Sequence, residues 1–318
     1  MVLSKKKNIK SRKSRKSRKS RKSRKSRKTK INKMEGGSFF NDYIDRFIRE
    51  MKHESEFVMN FENQKIDDTG ANKLKLALSN NNIVKSLMIR NINDINYAKI
   101  IILALSEALK TNSTIEELSL FKITLDKNAI LILKAGLQKN TNLKTLIFYK
   151  TNFGHEGAQA IAQALNSSNL THLDIGDNNI GDEGAQAIAE ALNSSNLTYL
   201  SINTNDICVE GAQAIAVALN DNQKLDELYL YGNNIGDEGA KVIAKALANN
   251  TRLKELIINN NHIRNEGGRA FLQAFDTNTT LQHLVINHNH INNEIMTQIK
   301  NKIKRLNYDL PIKISNSD

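Results

Sequence analysis

From residue 117 to residue 287 the apolar positions keep two rhythms in turn. Short runs such as LTHLDI (170–175) alternate apolar and polar residues, the period-two pattern of a strand with one buried face. Runs such as AQAIAEAL (185–192) place Ala185, Ile188, Ala189 and Leu192 at i, i+3, i+4 and i+7, the inward stripe of an amphipathic helix. The strand cores fall at Leu118/Leu120, Leu146/Phe148, Leu173/Ile175, Leu200/Ile202, Leu228/Leu230, Leu256/Ile258 and Leu284/Ile286, at successive offsets of 28, 27, 27, 28, 28 and 28 residues. Leu87/Ile89 sits 31 residues before the first of these, and FENQKIDDTGANKLKLAL (61–78) reads as a degenerate first unit.

Each unit therefore predicts strand, turn, helix and return. Asn178 marks the turn, where an asparagine amide satisfies backbone groups leaving the strand. Asp182 or Glu183 stands beside the first helical turn, where a negative charge suits the exposed N–H groups. No unit buries its apolar face alone, so the units must stack. The expected architecture is an α/β solenoid, a horseshoe with a parallel sheet on its concave face and helices on its convex face.

The wording LxxLxLxxNxIGDEGAxxIAxALxxN, seen in LTHLDIGDNNIGDEGAQAIAEALNSSN and LDELYLYGNNIGDEGAKVIAKALANN, resembles leucine-rich repeats of the ribonuclease-inhibitor type. The resemblance runs roughly from residue 58 to residue 305, with Cys208 in place of the usual glycine in NDICVEGAQAIA. Similar repeats occur in ribonuclease inhibitor, Ran GTPase-activating proteins, nucleotide-binding innate immune receptors and secreted effectors of intracellular bacteria. The resemblance implies that the array binds another macromolecule, and does not choose among these settings. A GTPase-activating role is the distant alternative.

The flanks read differently. NDYIDRFIREMKHESEF (41–57) places Tyr43, Ile44, Phe47, Ile48 and Met51 on one helical face, giving a capping helix over 38–57 that shields the first repeat's core edge. A repeat domain of about nine units then occupies 58–308, closed by the helix IMTQIKNKIKRL (295–306), and 309–318 reads as a disordered tail. Residues 1–35 form a basic tail holding six SRK triplets, which has no apolar side chain in the triplets to build a core and is expected to be disordered.

Charge separates these parts. Residues 1–33 carry 18 of the 46 Lys and Arg and no acid, which leaves 28 basic and 33 acidic residues in the rest, a net of −5. A uniformly basic nucleic-acid-binding domain is thereby excluded. The tail itself, through Arg12, Lys13, Arg15, Lys16, Arg18, Lys19, Arg21, Lys22, Arg24, Lys25, Arg27 and Lys28, suits polyanion binding without sequence readout, or nuclear targeting. The serine before each arginine would, if phosphorylated, nearly cancel the triplets' charge.

Reading outward-pointing positions across neighbouring strands gives columns. One runs Glu117, Thr145, His172, Tyr199, Glu227, Glu255, His283; the next Ser119, Ile147, Asp174, Ser201, Tyr229, Ile257, Val285; the third Phe121, Tyr149, Gly176, Asn203, Tyr231, Asn259, Asn287. Tyr199, Tyr229 and Tyr231 fall on two adjacent strands, with Asp174, Asp226, Glu227 and Glu255 around them, and His172 and Ile257 beside them. Tyrosines ringed by charge are the composition of a protein-binding hot spot, here one for a basic partner.

Catalytic and metal chemistry are not expected. His262 and His290 lie one repeat apart without clear further ligands, and Cys208 has no CxxC partner and no base beside it. No GxxxxGK[ST], zinc-protease or dinucleotide motif occurs. The expectation is a protein-interaction scaffold, not an enzyme, with no cofactor and no small-molecule substrate. Its partner is another protein, with non-specific nucleic acid an alternative through the tail. One cysteine and no apolar run of 18 residues fit a cytoplasmic protein without a transmembrane segment, nuclear through the tail, or delivered into a host cell if microbial.

Overall fold

The computed structural model describes residues 39–62 and 64–306. Both terminal tails of the sequence reading, with all twelve triplet cations, lie outside these described residues. Nine parallel strands form one sheet in sequence order. They are β1 (Glu56–Asn60), β2 (Ser86–Ile92), β3 (Glu117–Ile123), β4 (Thr145–Tyr149), β5 (His172–Asp174), β6 (Tyr199–Ser201), β7 (Glu227–Tyr229), β8 (Glu255–Ile257) and β9 (His283–Val285). The helices are α1 (Phe39–Glu50), α2 (Asp68–Ser79), α3 (Ile95–Leu109), α4 (Lys127–Lys139), α5 (Gly154–Leu165), α6 (Gly181–Leu192), α7 (Val209–Asp221), α8 (Gly236–Asn249), α9 (Asn265–Ala274) and α10 (Asn293–Leu306). Strand and helix alternate throughout, so the α/β solenoid expected from the two rhythms is the observed fold.

The register is the one the offsets predict. Leu118, Leu146, Leu173, Leu200, Leu228, Leu256 and Leu284 pair in line from β3 to β9. All seven are buried against the helices, whose Ala185, Ile188, Ala189 and Leu192 in α6 are buried in turn. Because the strand period is two, fixing the leucines inward fixes the intervening column outward. At the N-terminal end α1 buries Ile44 and Phe47, with Met51 just beyond it, and Phe47 meets Phe57 edge-on at 5.7 Å. The helix stops at Glu50, and β1 begins at Glu56, inside the segment the sequence reading gives wholly to a cap.

Two rows of asparagines, buried except for the half-exposed Asn289, tie each unit to its neighbour. At the strand exits the Nδ2 of Asn178, Asn205, Asn233, Asn261 and Asn289 donates to carbonyls of the preceding strand: Phe148, Ile175, Ile202, Leu230 and Ile258. Residues flanking this row adopt left-handed backbone, as at Asp177 (φ 57) and Asn179 (φ 55), conformations that Asn and Asp tolerate better than most residues. The second row, Asn112, Asn140, Asn222, Asn250 and Asn278, stands at the helix-to-strand turns. There each Oδ1 accepts from the N–H groups two and three residues on, as at Lys224 and Leu225. Asn112 and Asn278, which begin Asn-x-Ser/Thr triplets, are thus buried structural residues.

That second row also explains the two short offsets. In the 27-residue units Ser168 and Ser195 replace the asparagine, one residue nearer the next strand, and their hydroxyls donate to the helix-end carbonyls of Leu165 and Leu192. A smaller side chain closes a smaller turn.

Candidate functional site: the open face of the sheet

The face of the sheet opposite the helices displays the outward columns. On β5 and β6 the rings of His172 and Tyr199 lie flat on one another, centroids 3.6 Å apart at 7°. Tyr199 meets Tyr229 of β7 at 4.9 Å. The Tyr229 hydroxyl donates to Glu255 at 2.8 Å and approaches Glu227 at 3.3 Å, and Glu255 also contacts the His283 ring at 3.1 Å. A continuous ladder, His172–Tyr199–Tyr229–Glu255–His283, therefore crosses five strands. Regular spacing of about 4.8 Å between strands is what brings rings from successive units into contact.

Beside the ladder, in register with Ser201 and Tyr229, Asp174 is half-buried. It accepts from Ser201 Oγ at 2.8 Å and from the Gly176 N–H at 3.0 Å. Burial raises its pKa despite these donors and the nearby His172. Burial likewise lowers that of His172, against the pull of Asp174 and Glu117. The Tyr199 hydroxyl is pushed up to about 12, first by burial and then by Asp174. Tyr229 is raised as well, by burial and by its bond to Glu255. Both tyrosines therefore stay neutral donors at ordinary pH.

The residues singled out in the sequence do not all share this arrangement. Asp226 sits at the strand start, held by Arg252 at 2.8 Å and Lys254 at 3.1 Å, so its charge is already answered. Tyr231 is 37% exposed and takes part through its N–H, which donates to Asn203 at 2.9 Å, while its ring lies off the ladder. Ile257 is half-buried beside Tyr229 in register. His283 and Ser201 belong to the network and were passed over as site residues, although both stand in the columns. The signal that would have found them is the register itself, extended by one strand and one column.

Nearer the N-terminal end the face changes character. Val58, Met88 and Ile147 line it on β1, β2 and β4, with Val58 47% exposed. Phe121 packs on Tyr149 at 4.9 Å, and the Lys150 ammonium lies 5.3 Å from the Tyr149 ring centre. Arg90 and Lys122 are exposed at the ends of β2 and β3.

Among the described residues no group of three or more His, Cys, Asp or Glu is placed to hold a metal ion. His262 and His290 stack at 5.9 Å on adjacent turns. Cys208 caps α7, and burial together with Asp182, Glu210 and Asp206 raises its thiol pKa, the reverse of what a nucleophile needs. Also among the described residues, no helix is long and apolar enough to cross a membrane.

The sequence profile of a family described as Leucine Rich repeat matches six stretches, residues 139–162, 166–189, 193–216, 221–244, 249–272 and 277–299. Each begins at a helix-to-strand turn and ends within the following helix, in phase with the structural units. The chain carries leucine-rich repeats. No curated protein matches this leucine-rich-repeat chain by sequence. Among solved structures it is similar to the actin-binding site 2 (ABS2) of leiomodin-1, at 23% identity over 48% of this chain and 88% of that one, with a TM-score of 0.42.

Proposed function

We propose that the repeat array is a protein-interaction scaffold of the ribonuclease-inhibitor type, and that it holds its partner against the open face of the sheet, centred on Tyr199 and Tyr229. The observation that carries this reading is the ring ladder. Leucines already fill the core beneath the sheet, so aromatic rings aligned above it offer rigid apolar area with polar tips, the makings of a binding hot spot. Glu227 and Glu255 supply charge around the rings, while Asp226 and Tyr231 stand at the margin. Affinity capture with the full chain, with nuclease present throughout, tests the reading. A partner held by the native chain is expected to be lost with Tyr199→Ala/Tyr229→Ala. A partner retained equally by both would place the interface elsewhere.

A second reading rests on the sequence of the tail. Eighteen cations without an acid over residues 1–33 favour polyanion binding by counterion release, with the repeats accessory. Deleting residues 1–33 should then abolish the dominant interaction, and that interaction should weaken steeply with added salt. Loss of neither with the deletion removes this reading.

A further inference from the structure

The open face is divided. Over β1–β4 its middle is apolar, through Val58, Met88, Ile147 and the Phe121–Tyr149 pair, while the strand starts carry Glu56 and Glu117 and the strand ends carry Arg90, Lys122 and Lys150. Lys150 has Asp177 at 3.4 Å, but neither Arg90 nor Lys122 makes an ion pair with another described residue. Over β7 and β8 the register sets Glu227 directly beside Glu255, two carboxylates on neighbouring strands with no Lys or Arg paired to either among the described residues. Like charges opposite one another cost stability in a sheet. Beside the same strand starts Glu116 has Lys85 and Lys144, and Asp226 has Arg252 and Lys254. The cations at the strand ends of β2–β3 and the carboxylates at the strand starts of β7–β8 therefore stand at opposite corners of the face, Glu255 sharing its charge with His283 at 3.1 Å.

Resting on the scaffold reading, we infer that the occupant of this face is one extended protein segment laid across the strands with a fixed polarity. Its apolar and acidic residues lie over β2–β4, against Arg90 and Lys122. Its arginine lies over β7–β8, between Glu227 and Glu255 and against the Tyr229 ring. Arginine suits the second place better than lysine, because a planar guanidinium stacks on an aromatic face and bridges two carboxylates at once. The spacing is set by the sheet. From between β2 and β3 to between β7 and β8 is five strand separations, about 24 Å. Arg90 stands four residues, about 13 Å, along the strand from the Glu227–Glu255 row. The segment therefore runs diagonally over about 27 Å, which an extended chain covers in about eight residues.

Selection of displayed random 16-residue peptides on the full-length protein tests this. The expected pool carries an acidic–apolar block and an arginine separated by about eight residues. Counter-selection on Arg90→Glu/Lys122→Glu should erase only the acidic preference, and on Glu227→Gln/Glu255→Gln only the arginine preference, each by tenfold or more in enrichment. Both pairs are at the surface or half-exposed, and a circular dichroism melt of each variant verifies that it is folded. A pool without charge asymmetry, a pool that ignores both variants, or no enrichment overturns the inference. Peptides that enrich without charge pattern and are lost with Tyr199→Ala/Tyr229→Ala leave the scaffold reading intact while this one fails. A fluorescent oligouridylate bound by the native protein and lost with Arg90→Glu/Lys122→Glu, in place of the peptides, would assign that half of the face to nucleic acid and overturn it too.

Discussion

Asn205 shows how much one side chain carries here. Its amide donates to Ile175 and Asn203, and its Oδ1 accepts from the Asn178 N–H, so a single buried residue closes bonds in two units. Asn205→Ala strands those backbone groups away from water and should cost about 2–4 kcal/mol, read by chemical denaturation. A loss below about 0.5 kcal/mol would mean that the turn rearranges. His172 gives a pH prediction. The unfolded chain takes up the imidazole proton near the ordinary 6.5, while the folded chain takes it up only at lower pH. This group's stabilisation is therefore complete above 6.5 and is lost as pH falls through that interval. Asp174, with its raised pKa, acts in the opposite sense: the folded chain binds that proton first, so stability falls as pH rises from the ordinary value through the folded one. An NMR titration of the His172 ring should give a midpoint under 6.5, and a midpoint above it would contradict the flat, neutral stack on Tyr199. These contacts were legible in part. The columns follow from counting, because a period-two strand at a fixed offset leaves no freedom. The neutralisation of Asp226 was not read, since Arg252 and Lys254 arrive from the next unit and enter no single-strand pattern.

At the level of elements, Asp182 and Glu183 stand in the first turn of α6 as the sequence indicates, while β1 begins inside the 38–57 segment read as one helix. Asp182 also serves the helix of the next unit. Its carboxylate accepts from the N–H groups of Cys208 and Gly211 at 2.8 Å each, at the start of α7, and Asp237 does the same for Arg264 and Gly267 at the start of α9. Where the preceding unit lacks that aspartate, having His155 before α6 and Val209 before α8, the helix opens on a glycine instead. Gly181 (φ 59) and Gly236 (φ 62) take the left-handed conformation, and their N–H groups donate forward to the carbonyls of Asn205 and Asn261. Cys208 thus replaces glycine because Asp182 is there to receive its N–H. Asp182→Ala should cost about 1 kcal/mol, the usual worth of a helix cap. Adding Cys208→Gly to that variant should recover part of the loss, whereas in the native background it should not stabilise; a denaturation cycle of the four proteins measures this. Simple additivity would mean the two features are unrelated. No single repeat shows this rule, since it joins residues 26 apart in different units.

Across the molecule, strand pairs only with adjacent strand, so the array gains stability unit by unit. Leu228 lies fully buried at the middle of β7, and Leu228→Ala should cost about 2–5 kcal/mol in a denaturant titration. A cost under 1 kcal/mol would mean that the core there collapses onto the gap. Tyr199→Ala/Tyr229→Ala, on the opposite face, should lower partner affinity at least tenfold while moving the melting midpoint little. A matching drop in stability would make the rings structural. The solenoid was legible because repetition prints it many times over. The face was legible in its columns and not in its division, for the reading stopped at the tyrosines and left Arg90, Lys122 and Phe121 unweighed as a surface.

The alternating helix starts of α6–α9 reach beyond folding to how the array can be shortened. From α6 to α9 a unit that opens on glycine and supplies an aspartate is followed by one that opens without glycine and supplies none, so within these units the smallest block that drops out cleanly is a couple of repeats. Excising residues 181–235 would set Gly236 after the His155 unit, where Gly181 now stands, and every helix would still begin correctly. Excising residues 181–207 would set Cys208 there with no carboxylate behind it. The first chain should melt in one sharp step and the second should be marked by fraying at α7. Over α6–α9 the unit of length that keeps every helix start intact is therefore the pair.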